Sequence, residues 1–181
     1  MTIEEKYKKL RGNIPDGAII LFKGKGLMPT LIGYFDDAYW THAGVAFWSN
    51  GRLMVLDSNA RGVKPDFMSV RIGEYYDISV LSIRKNKSVI KWGMEYIFQE
   101  AEKGIKYDFL TLVRIAAKRK FAVDLKNLGS EDRDVCSEFA RRLTMVCGVK
   151  CYSKAIRGLE SFISPQDFVR FLSLEEIEEI K

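Results

Sequence analysis

The stretch that decides the fold runs from His42 to Asp57 and reads HAGVAFWSNGRLMVLD. Its first part, His42 to Trp48, is apolar and of strand length, so it reads as a buried strand. Ser49-Asn50-Gly51 is a strong hairpin turn, because Asn and Gly tolerate the positive φ that a tight connection demands. Arg52 to Asp57 (RLMVLD) is the return strand. A hairpin here brings Asp57, at the far end of the return strand, back beside His42.

Outward from the hairpin, Pro15-Asp16-Gly17 signals a turn, and Ala18 to Phe22 (AIILF) is a second buried strand. Gly24, Gly26 and Pro29 mark a loop. An aromatic stretch follows, with Tyr34, Phe35, Tyr39 and Trp40 around Asp36 and Asp37. Ile78 to Ile83 (ISVLSI) is a further strand. Helices are predicted over Ile3 to Leu10, Val89 to Glu102, Tyr107 to Ala117 and Asp134 to Val146, the last after a polar loop from Asn127 to Arg133. Ser164-Pro165-Gln166-Asp167 resembles a helix start, with Ser164 as N-cap and Pro165 at the first helical position. Ser173 and Glu176 form a capping box for a last, acidic helix. Strands gather in the first half and helices in the second, which argues for an α+β fold rather than a βαβ sheet.

The chain has 181 residues, enough for one domain over residues 1–181 with its own core. Apolar residues make up 47% and charged residues 29%, so wholesale disorder is excluded. The net charge of +5 is spread along the chain apart from Lys118, Arg119 and Lys120. It suits an anionic surface such as a cell-wall polymer or phospholipid, and is equally an ordinary solvated face. No nucleic-acid motif accompanies it. No apolar run approaches a membrane span, and the charged start TIEEKYKKLR lacks the apolar stretch of a signal peptide, so a cytoplasmic protein is expected. The three cysteines, Cys136, Cys147 and Cys151, make neither a metal signature nor a disulfide framework, so neither metal nor cofactor is expected.

Cysteine catalysis needs a thiolate, a base, and a group that orients the base. The chain has one histidine, so any such pair uses His42. Cys136 lies in DVCSEF, in the first turn of a predicted helix, where free N–H groups and the helix dipole favour an anion. Backbone N–H groups at the same end suit a developing oxyanion. Cys147 falls late in the same helix, where a thiol packs as a small hydrophobe, and Cys151 follows a Gly-containing turn without an evident partner. Asp57 stands where a carboxylate accepts the imidazole Nδ1–H. Each residue also has a plain alternative: Cys136 as packing, His42 as a locally satisfied side chain, Asp57 as a cap for Ser58 and Asn59.

Five segments, PDGAIILFKG, THAGVAFW, GRLMVLDSNARGVKPDF, VCSEFARRL and ISPQDFVRF, stand in this order between Pro15 and Phe171. Together they resemble the permuted branch of the NlpC-type papain-like superfamily, which includes YiiX-like bacterial proteins and lecithin:retinol acyltransferase-like enzymes. The resemblance implies a small antiparallel sheet or barrel packed against helices, with Cys136, His42 and Asp57 as catalytic triad and a nucleophile that follows the base in the chain. The opening departs from the family's Pro-Gly-Asp order, and Asp57 stands where relatives often carry Glu or His. The family performs acyl transfer through a thioester. The implied activity is that of a cysteine peptidase or amidase acting on a peptide, including cell-wall fragments. A lipid-directed acyltransferase or phospholipase and a non-catalytic binding module are the alternatives. Tyr34, Tyr39 and Trp40, just before the base, are candidates to wall the substrate cleft, and the two phenols to meet the oxyanion; core packing is the competing role for these rings. A cell-wall substrate fits a cytoplasmic chain if the protein is phage-encoded or released by lysis.

Overall fold

The computed structural model describes residues 1–26, 30, 33–34, 37–59, 62–103, 106–107, 133–134, 136–149, 164–171 and 176–180. The hairpin forms as the sequence implies. Strand β2 (His42–Ser49) pairs antiparallel with β3 (Arg52–Asn59). Asn50 and Gly51 hold φ of 49° and 72°, the left-handed pair that matches the twist of the flanking strands. Strand β1 (Ile19–Gly24) pairs with β2 on one side and with β5 (Tyr75–Ile83) on the other.

Two further strands complete a 6-stranded sheet of order β4-β3-β2-β1-β5-β8 with antiparallel neighbours throughout. They are β4 (Gly62–Phe67) and β8 (Ile177–Ile180). The sheet is open, with β4 and β8 as its edges, and so the barrel form is not adopted. Pro65 is tolerated in β4 because an edge strand leaves one side of its backbone unpaired.

Strand alternation sorts the apolar side chains into two cores. Ile19, Leu21, Ala43, Val45 and Leu56 point to one face, under α3 (Lys87–Glu102) and α4 (Cys136–Val146), which contribute Met94, Ile97, Phe139 and Leu143. Ile20, Phe22, Ala46, Val55 and Val80 point to the other, under α1 (Ile3–Leu10) and the short α2 (Met68–Arg71). In α1, Ile3, Tyr7 and Leu10 recur at helical spacing and are buried, while Thr2 and Glu5 close a capping box at its start. Among the described residues no helix is long and apolar enough to cross a membrane.

The C-terminal segment differs from the helix that its capping box predicts. Residues 172–175 lie outside the described set, and Ile177–Ile180 is a strand on the open edge of β5. A strand sends Ile177 into one core and turns Ile180 toward the other, whereas a helix would put both on one side. Glu178 and Glu179 find Arg84 and Ser79 across the ladder. Pairing with β5 outweighs the local helical signal. The helix expected from Asp134 begins at Cys136, because Arg133–Asp134 pairs as a two-residue strand (β7) with Lys106–Tyr107 (β6). Apart from Tyr107 itself, the helix expected to Ala117 lies outside the described residues, as do Lys118, Arg119 and Lys120. Ser164 donates its N–H to the Asp167 carboxylate at 2.9 Å, as at a capped helix start, and the helix proper (α5) is Asp167–Phe171.

Candidate active site

His42 opens β2, and Asp57 lies near the end of β3, opposite Gly44 in the register. Alternation turns residues 42, 44 and 57 to the same face, and the bare Gly44 leaves Asp57 room to lean toward the ring. His42 Nε2 and Asp57 Oδ2 are 2.7 Å apart. The sequence reading assigned the carboxylate to Nδ1. The structure joins it to Nε2, because Asp57 approaches along the sheet from the neighbouring strand. Cys136, the first residue of α4, lies close enough to the imidazole to act on its protonation, and Nδ1 is the ring nitrogen that Asp57 leaves open. Cys136 is buried, and its helix covers the opposite face of the sheet, so His42 and Cys136 come from different layers and approach each other at the start of β2.

The ring itself is fixed by packing. Tyr75 stacks on His42 at 5.7 Å between centroids and 17° between planes, and Phe22 lies against both. Burial alone would lower the affinity of His42 for a proton. The charge and hydrogen bond of Cys136, with those of Asp57, outweigh it and raise the pKa from 6.5 to about 10. Asp57 is fully buried, and burial pushes its pKa up. Its bonds to His42 and to Arg71 win, and hold it below the ordinary carboxylate range.

Arg71, at the end of α2, was not anticipated. Its Nη2 donates to Asp57 Oδ2 at 2.7 Å and to the Tyr75 hydroxyl at 2.8 Å, and Nη1 pairs with Glu74. Burial pushes the Tyr75 phenol well above its usual value, so it stays protonated. Nothing in the spacing MSVRIGEYY marks Arg71, since its partner lies across a strand and a turn in the chain.

The three aromatic candidates divide. Tyr34 is exposed, Tyr39 is half-exposed, and Trp40 is partly buried against the core beneath α3 and α4. The Tyr39 hydroxyl bonds Asp77 at 3.0 Å, which commits it away from an oxyanion, and Lys23 Nζ sits 4.1 Å over its ring. The segment leading to His42 is tied down by a residue the sequence did not single out for this role. Gln166 Oε1 accepts the N–H groups of Tyr39 and Trp40 at 2.9 and 3.1 Å. Cys147 is buried at the end of α4 with Sγ 3.8 Å from the Val89 carbonyl, and burial raises its pKa. Cys151 lies outside the described residues.

No protein-family model matches the chain, and no curated protein matches it in sequence. Among solved structures it is similar to the crystal structure of the metalloprotein YiiX from Escherichia coli O157:H7, with a TM-score of 0.64 and 16% identity. That likeness covers 93% of this chain and 97% of the other. At this identity the likeness is one of fold: the chain has a YiiX-like α+β fold built on an open antiparallel sheet.

Proposed function

We propose that this chain is a cysteine hydrolase of the permuted papain-like kind, cleaving an amide or peptide bond through an acyl-cysteine intermediate. The observation that carries the reading is the 2.7 Å pair of His42 Nε2 with the buried Asp57 carboxylate, on a ring whose protonation Cys136 also governs. In the first step Cys136 Sγ attacks the substrate carbonyl, its thiol proton having passed to His42 Nδ1. Backbone N–H groups at the start of α4 face the developing oxyanion. The tetrahedral adduct collapses as His42 protonates the leaving amine, and a thioester to Cys136 remains. Water then attacks the thioester while His42 takes its proton. The carboxylic acid leaves and Cys136 is restored. Asp57 holds the ring and favours the imidazolium at each stage.

YiiX is described as a metalloprotein. The donors here fit a metal poorly. Asp57 Oδ2 already receives the Arg71 guanidinium and the imidazole at 2.7 Å each, so a fixed cation stands where a metal would have to bind. Among the described residues no three His, Cys, Asp or Glu side chains group to hold a metal ion. No step is therefore assigned to one.

A cell-wall peptide is the proposed substrate class, since the net charge of +5 favours association with an anionic polymer at low salt. The test is to assay the wild type and Cys136→Ala on peptidoglycan fragments and on phospholipid vesicles. Peptide cleavage that disappears in Cys136→Ala supports the reading. Cys136-dependent fatty-acid release without peptide cleavage replaces it with lipid deacylation. No turnover on any acyl substrate favours a binding module.

A further inference from the structure

Arg71 is a buried charge that the triad does not use. Arg71 is 7% exposed, yet it is held beneath the sheet against Asp57, Tyr75 and Glu74, and among the described residues no acceptor reaches its Nε. A buried guanidinium with an unmatched N–H is costly, and an apolar side chain of similar size would fill the space at less cost. Its position suggests why it is there. Asp57 Oδ2 accepts from His42 and from Arg71 at the same distance, 2.7 Å.

The charge count gives the second observation. When Cys136 is a thiolate and His42 an imidazolium, Asp57 leaves the buried set with one net negative charge. Adding Arg71 brings these four buried groups to zero, while Glu74, the other partner of Arg71, is exposed to solvent. A net charge in a site closed to water is penalised far more than a neutral ion quartet. Among the described residues, the groups facing Asp57 include His42 from β2, Arg71 from α2, Glu74 and Tyr75 beyond it, Cys136 from α4 and, across the register on β4, the exposed Lys64.

We infer that Arg71 is a positioning residue of this site: it clamps the Asp57 carboxylate in the orientation that holds His42 and supplies the positive charge that makes the Cys136–His42–Asp57 set electrically neutral. The inference rests on the triad reading above. Arg71 touches neither substrate nor sulfur in this scheme, and acts through Asp57. Tyr75 completes the clamp, with its hydroxyl on Arg71 and its ring on His42.

Two measurements on the full chain test it. The first is the pH profile of iodoacetamide alkylation, read at Cys136 by peptide mass spectrometry, in the wild type and in Arg71→Gln. Loss of the cation makes every neighbouring acid hold its proton more tightly. Alkylation at pH 6 is expected to fall roughly tenfold in Arg71→Gln. A profile that superimposes on the wild type, in a variant with native circular dichroism, overturns the inference.

The second measurement keeps Arg71 in place, and so decides the matter even if Arg71→Gln fails to fold. His42 is the one histidine of the chain, so its ring nitrogens are assigned without ambiguity in a long-range proton–nitrogen NMR titration of Cys136→Ala. With the sulfur gone, the neutral ring should keep its proton on Nε2, against the carboxylate that Arg71 clamps. A neutral ring with its proton on Nδ1, or divided between both nitrogens, means that the carboxylate is not held against Nε2, and overturns the inference. Failure of the triad reading is separable. It appears as wild-type Cys136 alkylating no faster than buried Cys147, while the His42 titration still reports on Arg71.

Discussion

Gly44 of β2 stands opposite Asp57 of β3, and a methyl group at Gly44 would lie 3.2 Å from Asp57 Cβ and 2.6 Å from Val55 Cγ2. Val55 is fully buried and has no room to yield. The empty place at Gly44 is what lets the carboxylate lean two residues along the neighbouring strand to His42. Gly44→Ala should therefore cost about 1–3 kcal/mol of stability, as overpacked cores do. It should also slow alkylation of Cys136 by disturbing Asp57. Urea unfolding and labelling rate check both effects, and a variant unchanged in either would show that the gap is incidental.

Cys136 and Cys147 are both buried, so exposure does not separate them. Their surroundings do. Cys136 meets His42 at the first residue of α4, whereas Cys147 packs at the end of that helix, where burial raises its pKa. Mild iodoacetamide at neutral pH should label Cys136 well before Cys147. Peptide mapping after short exposure gives the order, and equal labelling would count against Cys136 as nucleophile.

The acid side of the stability curve should report Asp57. Its folded pKa lies below the ordinary 3.8, through His42 and Arg71 acting against burial. A depressed carboxylate contributes stability that is complete above the unfolded value and is lost as pH falls through the folded one. Wild-type unfolding free energy should thus drop more steeply below about pH 4 than that of Asp57→Asn. At pH 7 the variant should itself be less stable by about 1–3 kcal/mol, since it removes the buried counter-charge of Arg71 and leaves only Glu74, at the surface, to pair with it. Urea unfolding from pH 3 to 7 measures the slopes, and parallel curves would refute the assignment.

Gln166 joins the C-terminal region to the segment that delivers His42, through one oxygen and two backbone N–H groups. Gln166→Ala should cost about 1–3 kcal/mol by leaving those donors without their acceptor. Amide exchange at Tyr39 and Trp40 should quicken beyond the change at Ala43 and Val45, which belong to the strand ladder. Uniform exchange along the whole segment would show that the tie is dispensable.

The local signals in the sequence read correctly where no pairing with a distant segment competed with them. Helix α1 follows from the capping box and the spacing of Ile3, Tyr7 and Leu10, and the β2–β3 hairpin follows from Asn50-Gly51. The approach of Asp57 to His42 was legible for the same reason, being set by one turn. Strand β4 was missed because Pro65 reads as a strand breaker, and only its edge position makes it acceptable. Strand β8 was misread as helix because its capping signal is local and its partner, β5, is far away in the chain.

The sequence alone determined the α+β character and the hairpin that brings Asp57 to His42, since turn chemistry and strand period act over a few residues. Only the tertiary structure decided that Nε2 rather than Nδ1 meets Asp57, that the sheet stays open, and that Arg71, Tyr75 and Gln166 surround the site. These depend on packing between segments distant in the chain. The angle at which β3 presents its carboxylate, and the burial that turns an arginine into a fixed counter-charge, arise from how the layers close, and no local pattern of residues encodes them.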